Sequence, residues 1–176
     1  MSTNSHTTVI NPSPWVLDHA HLIPAGGQVL DLACGNGRHT RYLRKLGFRV
    51  VAADKDLSGV DDLATTDGIE LLQADLELEK WPFAAGQFNG IVVTNYLHRP
   101  HFPHILESLA ENGLLIFETF ARGNEKFGRP RNPAYLLEPN ELLNAFGESL
   151  KVINFAQTED RSPRPAVRQS ICARRC

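Results

Sequence analysis

Residues 29–40 read VLDLACGNGRHT, and this stretch decides the fold. Its apolar part, from Val29 to Ala33, has the composition of a buried strand. The strand ends at the turn Cys34-Gly35-Asn36-Gly37, and the spacing from Arg38 to Leu46 predicts a helix. Glycines let a ligand approach the main chain where a side chain would collide, and the following helix offers free N–H groups. The stretch therefore predicts a site for a nucleotide-type ligand.

Glycine turns between a strand and a helix also occur where no ligand binds, so the purely structural alternative stays open. A dinucleotide fingerprint has a third small residue for close helix–strand packing, but Thr40 stands at that position. This departure argues against NAD. Asp31 lies inside the predicted strand, where a charge is costly unless it is hydrogen-bonded or serves a ligand. Asp31 therefore favours a ligand site.

The chain has 176 residues, enough for one α/β domain with a sizeable core. We expect a single domain over residues 1–176, with residues 1–10 flexible because they are polar and terminal. Lys plus Arg number 18 and Asp plus Glu 20, and this near-neutral balance argues against dedicated nucleic-acid binding. The oligomeric state does not follow from the sequence.

Cysteines and hydropathy bear on the cellular compartment. The three cysteines, Cys34, Cys172 and Cys176, show no paired spacing, which predicts a reduced protein without a metal site. No apolar run approaches the roughly twenty residues needed to cross a bilayer, and no basic-then-apolar signal segment opens the chain. We expect a soluble, cytoplasmic protein that does not bind membranes.

Strand and helix patterns alternate along the rest of the chain, which predicts a doubly wound, mostly parallel seven-stranded sheet with an antiparallel last strand. After the first strand at 29–33, we expect strands at 48–53, 69–73, 88–94, 114–120, 150–155 and 166–173. We expect helices from the Ser13-Pro14 cap to before Pro24, at 38–46 and 57–64, through Ile105 to Ala110, and at 140–146. Residues 157–165 are polar and are expected to be mobile.

Acids follow the second and third predicted strands as well as lying in the first. Asp54 is placed where a carboxylate can accept hydrogen bonds from ribose hydroxyls. Its alternative role is to cap the next helix, but Asp56 or Ser58 can do that instead. Asp75 ends the third strand, so Asp31, Asp54 and Asp75 recur about one βα unit apart. This spacing is much harder to obtain by chance than a single glycine turn.

The string DLACGNG and the acids after strands two and three resemble the class I S-adenosylmethionine-dependent methyltransferases. The resemblance runs from about Leu22 to the end, through FNGIVVTNYLH and GLLIFETF to a final hairpin. It implies the Rossmann-like methyltransferase fold, and the small tellurite-resistance methyltransferases are the nearest group. Segment NYLHRP lacks the Pro-Pro pair of amino-methylating members, which argues against methylation of amide or exocyclic amine groups.

The resemblance implies that S-adenosylmethionine is the cofactor and S-adenosylhomocysteine the product. Asp31 and Gly35 would contact the methionine end, Asp54 the ribose and Asp75 the adenine amine, and Asn95 would lie under the methyl donor. The full set of implied cofactor-binding residues is Asp31, Ala33, Gly35, Gly37, Asp54, Lys55, Asp75, Leu76, Asn95 and Tyr96.

The implied reaction is an in-line displacement in which a nucleophile of a small-molecule acceptor attacks the methyl carbon. Alignment of the two reactants can contribute about 7–11 kcal/mol. A thiolate or selenide needs no general base, whereas oxygen or nitrogen nucleophiles would draw on Tyr96, His98 or His101. The alternative for each of the three is a satisfied polar residue at a helix start, so they are candidates only and no catalytic residue is assigned from the sequence.

The segment 121–139, ARGNEKFGRPRNPAYLLEP, is long for a loop of a compact domain, and such loops are often functional. Its aromatics, glycines and prolines favour a substrate-side lid over a structural excursion. Two other functions remain open. An acid after the second strand also suits an NAD-dependent oxidoreductase, and the same fold could bind S-adenosylmethionine without catalysis.

Overall fold

The computed structural model describes residues 11–160 and 164–176, so the expected flexibility of residues 1–10 lies outside the described residues. The strands are β1 (Gln28–Leu32), β2 (Arg49–Asp54), β3 (Ile69–Gln73), β4 (Phe88–Thr94), β5 (Leu109–Phe120), β6 (Lys151–Asp160) and β7 (Ala166–Arg174). The α-helices are α1 (Pro14–His19), α2 (Arg38–Lys45), α3 (Phe102–Ser108) and α4 (Glu141–Phe146).

All seven strands form one sheet in the order β3-β2-β1-β4-β5-β7-β6. The strands from β1 to β5 run parallel, while β7 is antiparallel to both of its neighbours. This confirms the predicted sheet. Strand order reverses at β1, which lies between β2 and β4, and open parallel sheets bind ligands in the crevice at that point.

Two apolar layers cover the two faces of the sheet. Alternate residues of one strand face opposite sides, so Ile116 packs with the layer under α1 and α2, while Phe117 packs with the layer under α3 and α4. Both side chains are fully buried or nearly so, and burial of a side chain of this size contributes about 1.5–3 kcal/mol. The sheet is therefore a rigid platform for the loops at its carboxyl edge.

The predicted helix at 57–64 is wrong, because the described chain contains only the short 3₁₀ turn Asp61–Leu63 there. The reason is close packing against the glycine turn. A Cβ at Gly59 would lie 2.8 Å from the carbonyl oxygen of Gly35. The backbone of this segment packs so closely against the glycine turn that a side chain at position 59 would collide with it, and a regular helix does not form here.

Two strand boundaries also differ from expectation. The helix predicted to reach Ala110 ends at Ser108, because Leu109 is fully buried and pairs with Phe88 of β4. Strand β6 continues to Asp160, well beyond the predicted end at Phe155. The expected mobility of 157–165 is thus wrong up to Asp160, because this polar stretch pairs residue by residue with β7. Residues 161–163 lie outside the described residues.

Within residues 11–160 and 164–176, no helix is long and apolar enough to cross a membrane.

Candidate active site at the carboxyl edge of the sheet

The glycine turn after β1 depends on backbone angles that favour glycine. Gly35 and Gly37 have φ values of +54° and +71°, and Ala33 has 56°. A Cβ at Gly37 would lie only 2.5 Å from Cγ1 of Val60, so a larger residue collides as well as being strained. The turn therefore brings bare backbone to the edge of the sheet, directly before the first residue of α2.

Asp54 ties this turn to the end of β2. Its Oδ2 accepts a hydrogen bond from the Gly35 amide at 2.9 Å, and its Oδ1 accepts one from the Asp56 amide at 3.1 Å. Asp56 in turn accepts from the Ser58 amide at 2.9 Å. Each carboxylate oxygen of Asp54 can accept a second donor, so Asp54 can hold the turn and still receive a ligand hydroxyl.

A cleft of about 420 Å³ opens at the carboxyl ends of β1 to β4, which is within the range of ligand pockets. Seven of the expected cofactor-binding residues line it: Ala33, Asp54, Lys55, Asp75, Leu76, Asn95 and Tyr96. The structure adds four residues that sequence reasoning did not assign: Ala53, Ala74, Glu77 and Tyr135.

The alanines carried a signal in the sequence. Each of the two acids at a strand end is preceded by alanine, as Ala53-Asp54 and Ala74-Asp75. A small side chain before each acid leaves space for a flat ligand between the strand ends. Tyr135 carried no comparable signal, because it comes from the loop 121–139 and reaches the cleft only through the tertiary fold.

Asp31, expected to bind the cofactor, does not line the cleft but is buried beneath the glycine turn. The Thr40 hydroxyl donates to Asp31 Oδ2 at 2.6 Å, and the Thr40 amide also bonds to this carboxylate. Burial nevertheless raises the pKa of Asp31 to about 6. Thr40 thus occupies the third position of the glycine motif as the hydrogen-bond partner of Asp31. Gly35 and Gly37 likewise shape the turn and are outside the cleft lining.

Asn95 has an exposed side chain and a left-handed backbone with φ of 54°. Its main-chain N–H donates to the Glu118 carbonyl at 3.0 Å, and its side-chain Oδ1 accepts from Arg168 Nη1 at 2.6 Å. The Arg168 guanidinium also lies over the Phe120 ring, 4.3 Å from its centre. Residues of β5 and β7 therefore fix Asn95 at the edge of the cleft.

The three candidate bases differ in position. Tyr96 lines the cleft, and burial, followed by the neighbouring Glu77 carboxylate, raises the pKa of its phenol. It therefore stays protonated at neutral pH. His98 and His101 lie outside the cleft lining. His98 Nδ1 is 4.0 Å from Glu77 Oε2.

His101 is buried between other rings, with its centre 5.0 Å from that of Trp81 and 4.3 Å from that of His98. Burial, with smaller contributions from the charges of His98 and His104, lowers its pKa to about 4. Neither ring nitrogen has a hydrogen-bond partner among the described residues. His101 is thus a neutral packing residue at physiological pH.

A polar network beside the cleft anchors the start of α1. Ser13 Oγ donates to Glu118 Oε1 at 2.7 Å, and the Ser13 amide donates to His39 Nε2 at 3.0 Å. Burial lowers the pKa of His39 to about 3, so His39 is neutral and its Nε2 can accept. Ser170 Oγ lies 3.2 Å from Glu118 Oε2. Sequence reasoning did not find His39, because its partners are remote in sequence.

A family model described as a methyltransferase domain matches residues 12–154, which include the glycine turn and every residue that lines the cleft. The chain belongs to the methyltransferase domain family. The resemblance inferred from the sequence is thereby confirmed at the level of this family. No curated protein sequence gives a significant match.

Solved structures with this methyltransferase fold include TehB from Haemophilus influenzae, with a TM-score of 0.72 and 20% identity. The match covers 92% of this chain but only 61% of that chain. The 1,6-didemethyltoxoflavin-N1-methyltransferase of Burkholderia thailandensis, solved with bound 1,6-didemethyltoxoflavin and S-adenosylhomocysteine, matches with a TM-score of 0.69 and 19% identity. The match covers 92% of this chain and 76% of that chain. Geranyl diphosphate C-methyltransferase from Streptomyces coelicolor A3(2) matches with a TM-score of 0.70 and 14% identity. This match covers 92% of this chain and 74% of that chain.

Proposed function

We propose that this protein transfers a methyl group from S-adenosylmethionine to a small-molecule acceptor. The observation that carries the proposal is the cleft itself, which has a carboxylate at the end of each of two neighbouring strands, Asp54 on β2 and Asp75 after β3. Membership of the methyltransferase domain family supports it. The S-adenosylhomocysteine complex of the 1,6-didemethyltoxoflavin-N1-methyltransferase, which has the same fold, also supports it.

The cleft residues fit an adenosyl group. In the proposed complex Asp54 accepts hydrogen bonds from the ribose hydroxyls, using the lone pairs that the Gly35 and Asp56 amides leave available. Asp75 accepts from the adenine amine. The main chain of Leu76 meets the ring, and the small side chains of Ala53 and Ala74 give the ring space.

The methionine end is assigned to the glycine turn. Ala33 lines the cleft and leads into this turn, where Gly35 and Gly37 keep side chains away from the ligand. Asp31 lies beneath, and its carboxylate acts on the positively charged methionine end by its charge rather than by lining the cleft. Lys55 contributes to the ribose side, and Asn95 lies under the methyl donor.

S-adenosylmethionine supplies an electrophilic methyl group on a sulfonium. The protein's part in the proposed reaction is to align the acceptor with that group and to exclude water. Tyr96 is the one candidate base that lines the cleft, and its raised pKa keeps it a hydrogen-bond donor. These observations favour an acceptor that needs no general base, such as a thiolate or a selenide.

We also propose a cytoplasmic location and a small-molecule partner, each from one observation. Cys34, Cys172 and Cys176 are free thiols, which suits the reducing cytoplasm. The near-neutral charge balance supports a small-molecule partner over a nucleic acid.

Cofactor assignments are tested with Asp54→Asn and Asp75→Asn, and Glu111→Gln serves as the control because it is an exposed acid near the amino end of β5. Asparagine at 54 retains one acceptor for the glycine turn, which alanine would not. We expect each aspartate variant to bind S-adenosylhomocysteine at least about tenfold more weakly, because a charge-assisted hydrogen bond is lost. Calorimetric affinities equal to wild type would remove these assignments.

Turnover is tested by measuring S-adenosylhomocysteine formation from S-adenosylmethionine with a panel of small thiols, selenite and tellurite. The likeness to TehB and the expected similarity to the tellurite-resistance group place the two oxyanions in the panel. We expect at least one soft acceptor to be methylated. Cofactor binding with no methylation across a broad acceptor screen would instead support a non-catalytic binding protein.

A further inference from the structure

Beside the cofactor cleft, the loop 121–139 forms a second cavity of about 500 Å³ that is shallow and widely open to solvent. Its lining residues are Arg129, Pro130, Arg131, Asn132 and Tyr135. Tyr135 also lines the cofactor cleft, so the two cavities share one side chain. An acceptor held in the second cavity would therefore lie next to the cofactor across Tyr135.

The loop is held in place by the rest of the fold. Arg99 donates to the carbonyl oxygens of Ala134 at 2.8 Å and Leu136 at 2.9 Å, on either side of Tyr135, and is fixed by Glu141 at 2.6 Å. Asn124 is buried, and its Oδ1 accepts from the Val167 amide of β7 at 3.1 Å. The wall of the cavity is thus part of the folded protein.

The cations of this loop differ in their pairing. Arg122 bonds to Glu138 at 2.8 Å, and Lys126 bonds to Glu159 at 2.7 Å. Arg129 and Arg131 form no ion pair or side-chain hydrogen bond with any residue in 11–160 or 164–176. Two arginines without counter-charges therefore line one cavity in a chain whose net charge is −2.

We propose that this second cavity binds the methyl acceptor through an anionic group, a carboxylate or a phosphate. The proposal rests on the proposed methyltransferase function. Guanidinium groups form paired, charge-assisted hydrogen bonds with carboxylate and phosphate oxygens, and two of them select an anion over a neutral group. Tyr135 is 51% exposed, and its ring provides an apolar face for the body of the acceptor.

The test measures binding of benzoate, phenyl phosphate and the neutral analogue benzamide to protein saturated with S-adenosylhomocysteine. The test protein is the double variant Arg129→Gln and Arg131→Gln. The matched control is Lys45→Gln with Arg49→Gln, which removes the same charge from two exposed residues at the opposite edge of the sheet. Affinities are measured by calorimetry, and melting temperatures show that each variant is folded.

We expect wild type and the control to bind at least one anion more tightly than benzamide. The Arg129 and Arg131 double variant should bind that anion about tenfold or more weakly, because charged hydrogen bonds are lost. The preferred anion distinguishes a carboxylate from a phosphate acceptor.

Three results would overturn the proposal: no anion binds, benzamide binds as well as the anions, or both double variants lose affinity equally. The last result would mean that only overall charge matters. Failure of the methyltransferase function is distinguishable, because it appears in separate assays of wild type, either as absent binding of S-adenosylhomocysteine or as absent methylation across the acceptor panel.

Discussion

Replacement of Asp31 by asparagine tests the energetics of the buried acid beneath the glycine turn. In the folded protein burial raises the pKa of Asp31 from its ordinary value of 3.8 to about 6. A carboxyl whose folded pKa is raised destabilises the fold once it ionises, so its cost is absent below pH 3.8 and complete above pH 6. Asparagine has a similar shape and can still accept from the Thr40 hydroxyl, but it carries no charge.

The size of the effect follows from the difference between the ordinary pKa of 3.8 and the folded pKa of about 6. At 1.36 kcal/mol for each unit, ionised Asp31 costs about 3 kcal/mol of folding free energy at neutral pH. Linkage then predicts a pH-dependent advantage of Asp31→Asn that grows from about 1 kcal/mol at pH 4.5 to about 3 kcal/mol at pH 7.5. Asparagine also has an NH₂ donor where aspartate has its second acceptor oxygen. This exchange lowers the free energy of unfolding by an amount that does not change with pH.

The measurement is urea unfolding followed by tryptophan fluorescence at pH 4.5, 5.5, 6.5 and 7.5. The quantity of interest is the difference in unfolding free energy between Asp31→Asn and wild type, and the control is Asp18→Asn on the exposed side of α1. We expect the difference to rise by about 2 kcal/mol across this range for Asp31→Asn and to stay flat for the control. A flat difference for Asp31→Asn would refute the claim that burial of this charge is costly.

Two further predictions concern the turn and the loop. Gly37→Ala should lower the free energy of unfolding by about 2 kcal/mol, because it adds a collision with Val60 to backbone strain. The control is Gly86→Ala, because Gly86 has a φ of +66° but no atom within 4 Å of an added Cβ. Chemical denaturation of both variants therefore isolates the cost of the collision. Equal losses of unfolding free energy in the two variants would contradict the collision. Replacement of residues 125–132 by a short Gly-Ser linker, which keeps the buried Asn124 and its bond to the Val167 amide, should reduce methyl transfer more than calorimetric affinity for S-adenosylhomocysteine. Equal losses would show that the loop is purely structural.

The cleft at the carboxyl edge of the sheet was largely predictable, because most of the residues that line it follow strands whose positions are set by apolar periodicity. Asp54, Asp75 and Asn95 each lie at or directly after the carboxyl end of a parallel strand, and such ends meet at one edge of the sheet. The chain pattern therefore brought them together without knowledge of tertiary contacts.

The role of Asp31 was only partly predictable. Its place inside an apolar strand indicated that the carboxylate must have a partner, but not which one. Thr40 was interpreted as a departure from the dinucleotide motif, whereas its hydroxyl and amide hold Asp31. A hydrogen bond between a strand and the next helix depends on how the glycine turn folds, which composition does not report.

Tyr135 and the length of β6 could not be predicted because both depend on contacts distant in sequence. Tyr135 reaches the cleft because Arg99, from the segment after β4, holds the carbonyls on either side of it. Polar residues from Gln157 to Asp160 have little strand character alone and extend β6 because β7 is available as a partner.

The most direct test of the proposed methyltransferase function is calorimetric titration of wild type in parallel with S-adenosylmethionine, S-adenosylhomocysteine and NAD, repeated with Asp54→Asn and Glu111→Gln. We expect binding of both adenosyl ligands by wild type and Glu111→Gln, a loss of about tenfold or more for Asp54→Asn, and no comparable binding of NAD. Binding of NAD alone, or of neither adenosyl ligand, would contradict the proposed methyltransferase function.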